Sequence, residues 1–171
     1  MSNKLILFCV ETTKQANIDY QYIRETILHF YKEDRKIVYR PVYMESKSRY
    51  NNKTVLKEIR NKSKLFPGKT HVIYFIDTDD YDVSPEANRE LEQIKTFCSA
   101  NSYDFVFFCK DVEDVFCGKR IPSTEKVKTV DQFKRKNSIQ SIKPDKLQCK
   151  LYKPHQSNIL NVLDKYWIRK N

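Results

Sequence analysis

Two uninterrupted apolar runs stand out along the chain, residues 5–10 (LILFCV) and 72–76 (VIYFI). Both are rich in β-branched and aromatic types and lack the alternation of a half-exposed strand, so each predicts a strand buried on both faces of a parallel sheet. Residues 104–109 (DFVFFC) predict another strand of this kind. Residues 36–44 (KIVYRPVYM) are mixed, and Pro41 cannot donate to a ladder, so this strand belongs at an edge or ends near one. Between the runs the period changes to 3.6. Tyr20, Ile23, Ile27, Phe30 and Tyr31 place a helix over 15–32, and Val55, Leu56 and Ile59 a short one after the polar loop 45–51. Ser84-Pro85-Glu86 is a helix start with Ser as N-cap and Pro at the first position, leading into the stripe Ala87, Leu91, Ile94, Cys98.

The order βαβαβαβ predicts an α/β fold, a single Rossmann-like domain whose four-stranded, mainly parallel sheet carries helices on both faces. Residues 1–118 form the expected core. Residues 119–171 read as a basic extension packed on it. Ser123 or Thr124 is expected to cap a lysine-rich helix through Asn137, with a thin apolar face of Val127, Val130 and Phe133. Residues 138–156 read as loop, with short structure around 147–152. A last helix over 157–168 presents Ile159, Leu160, Leu163, Tyr166 and Trp167, the Trp anchoring it to the sheet.

Composition narrows the picture. With 171 residues, 40% hydrophobic, the chain is long enough for one proper core, and its two glycines argue against a Gly-rich phosphate loop. No apolar run approaches the roughly 20 residues of a membrane span, and no signal-peptide pattern opens the chain. Five cysteines lack metal-ligand spacing. Four of them (Cys9, Cys98, Cys109, Cys117) sit in apolar surroundings, so reduced thiols in a cytoplasmic protein are expected and zinc is not. The net charge of +10 is uneven: 17 Lys and Arg against 15 Asp and Glu in residues 1–109, but 15 against 7 in residues 110–171. An acidic site beside a basic surface suits metal chemistry on a polyanion.

The chemistry concentrates at strand ends. The central run closes in Asp77, Asp79, Asp80 and Asp82. If the extended geometry persists, Asp77 and Asp79 point to one side and offer two hard oxygen donors for Mg²⁺. Glu11 follows the first strand and Glu113 the fourth, and parallel strands bring such ends together. His29 and His71 read as structural, and His155 as a cap or surface group.

Glu11 in FCVETT and Asp77-Thr78-Asp79 in YFIDTDD, in this order of elements, resemble the TOPRIM domain, the topoisomerase–primase catalytic fold. Within that family residues 3–118 look most like the small bacterial defence type, the RloB-type and overcoming-lysogenisation-defect nucleases. The turn Val112-Glu113-Asp114-Val115-Phe116 resembles the acidic segment after the fourth strand in that branch. Thr12 stands where the family commonly has glycine. The resemblance implies Mg²⁺ or Mn²⁺ held by Asp77 and Asp79. Glu11 would manage protons or share a second ion, and Glu113 would complete the shell. The expected activity is metal-dependent cleavage of DNA or RNA phosphodiester bonds in bacterial or phage defence, with nucleic acid and an ATPase subunit as the expected partners. None of the eleven tyrosines stands out as a strand-passing nucleophile, which favours hydrolysis over transesterification.

Phosphoryl transfer also wants a cation against developing charge. Lys153 is the first candidate and Lys110 the second; Lys126, Lys128, Lys134, Arg135, Lys136 and Lys150 are the expected nucleic-acid contacts. Two alternatives remain. Asp77-Thr78-Asp79 also resembles the nucleophile motif of haloacid-dehalogenase phosphatases, although that motif normally follows the first strand. The other is a non-catalytic nucleic-acid-binding module, or a partner subunit of a defence ATPase.

Overall fold

The computed structural model describes residues 3–171. Strands β1 (Lys4–Val10), β2 (Ile37–Tyr43), β3 (Lys69–Asp77) and β4 (Asp104–Phe108) form one sheet in the order β2-β1-β3-β4. Every pairing in it is parallel. Six α-helices lie among the described residues: α1 (Ile18–Phe30), α2 (Lys53–Leu65), α3 (Pro85–Ala100), α4 (Val112–Cys117), α5 (Lys126–Arg135) and α6 (Ile159–Leu163). The chain is an α/β protein of Rossmann-like architecture, and β2 with its Pro41 is an edge strand.

Alternation along β1 feeds two apolar layers. Ile6, Phe8 and Val10 enter one with side chains of α1, α4, α5 and α6, while Leu5, Leu7 and Cys9 enter the other with α2 and α3. Because β1 is covered on both faces and paired on both edges, Ile6 to Val10 are wholly out of water. Cys9, Cys98 and Cys109 are buried free thiols. The rings of His29 and His71 stand edge-on to Phe30 and Tyr166. No helix is long and apolar enough to cross a membrane.

Several elements depart from their sequence expectation for local reasons. α1 starts at Ile18 rather than near 15, because Asn17 takes a left-handed conformation and the Thr13 hydroxyl accepts the Ala16 N–H instead. Its buried side is Ile18, Asp19, Tyr22, Ile23, Thr26 and Ile27, while Tyr20 packs at the rim beside Phe8 and Tyr39. α2 runs for 13 residues, with Asn52 capping it through the Thr54 amide. α3 starts as expected, with Ser84 accepting from the Ala87 N–H and Pro85 in the first turn. α5 begins at Lys126, and neither Ser123 nor Thr124 caps it.

The last helix is the largest departure, five residues instead of about twelve. Residues 156–158 are drawn to the free edge of β4. The Gln156 carbonyl accepts from the Cys109 N–H at 3.0 Å, and Ser157 forms an antiparallel bridge with Phe108. Asn158 imitates a strand with its side chain, accepting from the Phe107 N–H and donating to the Phe105 carbonyl. Covering that edge satisfies backbone groups that a helix starting at 157 would leave bare.

Beyond α6, the Lys32 N–H donates to the Ile168 carbonyl and the Lys170 N–H to the Phe30 carbonyl, clasping the end of α1. Trp167 is driven among Phe8, Tyr31 and Tyr39, with ring centroids 5.9–6.4 Å away. Trp167→Ala therefore leaves a cavity against β1 and is expected to lower unfolding free energy by about 3–5 kcal/mol in urea titrations. A loss below about 1 kcal/mol would show that the tail is not part of the core.

Candidate functional site

The helix after β1 and the helix after β3 lie on opposite faces of the sheet, which opens a crevice beyond the carboxyl ends of these neighbouring strands. Glu11 is the first residue after β1 and Asp77 the last of β3. The Asp77 N–H donates to Glu11 Oε1 at 2.6 Å, so the two expected residues meet.

The chain then leaves the extended form. Thr78 N–H donates to the Phe108 carbonyl, Asp79 N–H to the Lys110 carbonyl, and Lys110 N–H to Thr78 Oγ1 at 2.8 Å. These bonds zip the loops after β3 and β4 together. They hold Asp79 and Lys110 at φ 49° and 66°, in the left-handed region that non-glycine residues rarely occupy. Strand alternation thus ends at Asp77 and does not align its carboxylate with that of Asp79. Asp79 instead pairs with Lys47, whose ammonium also donates to the Asp77 carbonyl at 3.0 Å.

A carboxylate not anticipated in the sequence completes the centre. Asp19, in the first turn of α1, is buried, and the amides of Glu11 and Thr12 help hold its charge. On the far side Glu113 is fully buried. Its Oε2 accepts from Lys126 Nζ at 2.9 Å, while Oε1 has no hydrogen-bond partner among the described residues. Glu11, Asp19 and Asp77 form no ion pair among the described residues, and they crowd between the Lys47–Asp79 and Glu113–Lys126 pairs.

Loss of water raises the proton affinity of all these acids, and like charge adds to it. Burial, then Asp19, pushes Glu11 up to about 8. Burial, then Glu113, pushes Asp19 up to about 7. Asp77 is raised by burial and by Glu11, Asp19 and Asp111. Glu113 is raised by burial, with Lys126 pulling it back.

The donors are all hard oxygens. No three His, Cys, Asp or Glu among the described residues stand as a ready cation cage, so Glu11, Asp77, Asp79 and Glu113 share an edge without being gathered into one shell. The set still fits Mg²⁺, which is usually held by one or two carboxylates and keeps several waters. The orphaned Glu113 oxygen and an Asp77 side chain with no ion pair among the described residues are the observations that support this fit.

The expected cations scatter. Lys110 turns outward to Asp82 at 2.5 Å and lies 5.8 Å from the centre of the Tyr81 ring. Arg120 takes Asp80 at 3.0 Å, so these two acids belong to a surface network. Lys126 faces inward to Glu113 rather than outward, and Lys134 reaches Asp131 and Gln21. Lys128, Arg135, Lys136, Lys150 and Lys153 are exposed, and none forms an ion pair among the described residues. His155 lies against Asp114, its Nδ1 3.1 Å from Oδ2.

Of the two missed residues, only one carried a signal in the sequence. Asp19 sits three and four positions before Tyr22 and Ile23, so it opens the buried stripe of α1 and was legible as a misplaced acid. Lys47 carries no local signal, because its partners lie 30 residues away and beyond.

Unfolded carboxyls release their protons near pH 4, whereas folded Glu11 and Asp19 hold theirs to about 8 and 7. Between those limits the folded state binds more protons, so stability falls as pH rises. Thermal scans from pH 5 to 8.5 without divalent ions are expected to show a declining Tm, and Asp19→Asn to flatten the decline. A wild-type Tm that is level or rises over that range would contradict this electrostatic account.

No family model, no curated protein and no solved structure matches this chain.

Proposed function

We propose that this chain is a Mg²⁺- or Mn²⁺-dependent phosphodiesterase that cleaves nucleic acid. The observation that carries the reading is the meeting of half-buried Glu11 and Asp77 at the β1/β3 crevice beside buried Asp19, none of them in an ion pair among the described residues. Such clustering is costly for stability, and a hard divalent ion offsets the cost.

Asp77 would hold the ion together with the Asp79 oxygen that Lys47 leaves free. When bound, the ion polarises a phosphodiester oxygen and makes a nucleophile of water. Glu11, with its proton affinity near neutrality, is suited to take a proton from the attacking water or give one to the leaving oxygen. The amide of Asp77 fixes one Glu11 oxygen and leaves the other for that transfer. Exposed Lys128 and Arg135 on α5 and Lys136 just after it, with Lys150 and Lys153 farther along the chain, supply positive charge for a phosphate backbone.

Purified protein incubated with plasmid, linear DNA and RNA in Mg²⁺, Mn²⁺ or EDTA tests this. Metal-dependent cleavage is expected, and Asp77→Asn is expected to lower its rate by at least about 100-fold. Binding should survive in that variant and weaken steeply with salt, at a logarithmic slope of roughly −0.7 to −0.9 per phosphate contacted. Hydrolysis of a small aryl phosphate alone would favour a phosphatase. Salt-sensitive binding without cleavage under any metal would favour a binding module or a subunit of an ATPase.

A further inference from the structure

Lys47 is the most unusual cation in the molecule. It opens a short 3-10 turn, Lys47–Arg49, just past the end of β2, where Ser46 caps the turn through the Ser48 N–H. The Met44 N–H bonds to the Val10 carbonyl, so this segment is fastened beside the end of β1. From there the side chain reaches across to the end of β3. Its ammonium donates to the Asp77 carbonyl at 3.0 Å and to Asp79 Oδ2, and the side chain is only 10% exposed. A lysine is rarely buried so far unless it is paired.

Its position is that of an ion rather than of a surface bridge. Its ammonium meets two oxygens at once, one of them a carboxylate, so its charge is paired where it is buried. The two oxygens it holds, a main-chain carbonyl and a carboxylate, are of the hard type a divalent ion would take. In two-metal phosphoryl-transfer sites the ions stand roughly 3.5–4 Å apart. A second ion beside one on Asp77 and Asp79 would need the Asp79 oxygen that Lys47 already occupies.

We propose that the Lys47 ammonium is a resident cation standing in for a second divalent ion, so that the centre takes a single metal ion per chain. This rests on the metal reading of the site given above. It makes Lys47 a positioning residue for Asp79: the ammonium fixes one carboxylate oxygen and leaves the other free of it. Glu113 and Lys126 close the opposite side in the same way, with one lysine to one carboxylate. Asp77 and the Asp79 oxygen that Lys47 leaves free remain for one ion.

Calorimetric titration of the full chain with Mn²⁺ decides the matter, for wild type, Lys47→Met and Lys47→Arg, with thermal scans confirming that each is folded. One Mn²⁺ per chain is expected in wild type and in Lys47→Arg. In Lys47→Met a second Mn²⁺ is expected, with a larger Mn²⁺-induced rise in Tm than in wild type. Two ions in wild type overturn the proposal whether or not the variants fold. A folded Lys47→Met that still binds one ion with unchanged affinity also overturns it, and leaves the metal centre standing. Absence of Mn²⁺ binding in wild type removes the metal centre itself and the proposal with it.

Discussion

The hydrogen bond from the Asp77 amide to the Glu11 carboxylate ties together the ends of the two most buried strands. It can form only because β1 and β3 are neighbours and parallel, with Cys9 level with Tyr74 at the end of the ladder. Once it forms, the carboxylate that follows β1 is pinned over the end of β3, and the charge of Asp77 is brought beside it. Everything else at this edge answers the charge thus concentrated. Lys47 arrives from the β2 side, Lys126 from the extension, and the backbone amides of Glu11 and Thr12 turn toward Asp19. The result is partial neutralisation. Two ammonium groups cannot balance Glu11, Asp19, Asp77, Asp79 and Glu113, and proton uptake makes up part of the difference.

The loops beyond β3 and β4 show how rigidly the edge is held. Thr78 is fully buried, bonded through its amide to Phe108 and through its hydroxyl to the Lys110 amide. That network sustains left-handed conformations at both Asp79 and Lys110, each less favourable than an ordinary backbone by about 1–3 kcal/mol. Strain of this kind persists only where surrounding bonds over-determine it, and here it sits beside the acidic crevice.

The extension beyond residue 118 is not an appendage. Val130, Phe133, Ile139, Leu147 and Trp167 share one apolar layer with Ile6, Phe8 and Val10 of β1. Residues 156–158 close the β4 edge, and the final residues clasp α1. The same segment supplies Lys126 to Glu113 and leaves Lys128, Arg135 and Lys136 in solvent. Its basic character is thus divided, one lysine turned inward and the rest forming a charged surface.

Periodicity by itself determined the sheet. Runs of apolar residues as long as 5–10 and 72–76 have no stable place except inside a two-sided layer, and Pro41 fixed which strand could stand at the edge. Parallel order then brought Glu11 and Asp77 together without any knowledge of contacts, because strands that run the same way end on the same side. Local rules also placed Ser84 and Pro85 at the start of α3. Tertiary structure decided the rest. Lys47, Lys126 and Asp79 took their partners through space, across separations from 13 to 32 residues, where no spacing rule reaches. The last helix lost its first turn because the free edge of β4 offered Ser157 and Asn158 better hydrogen bonds than a helix did, and that edge exists only once the sheet has formed.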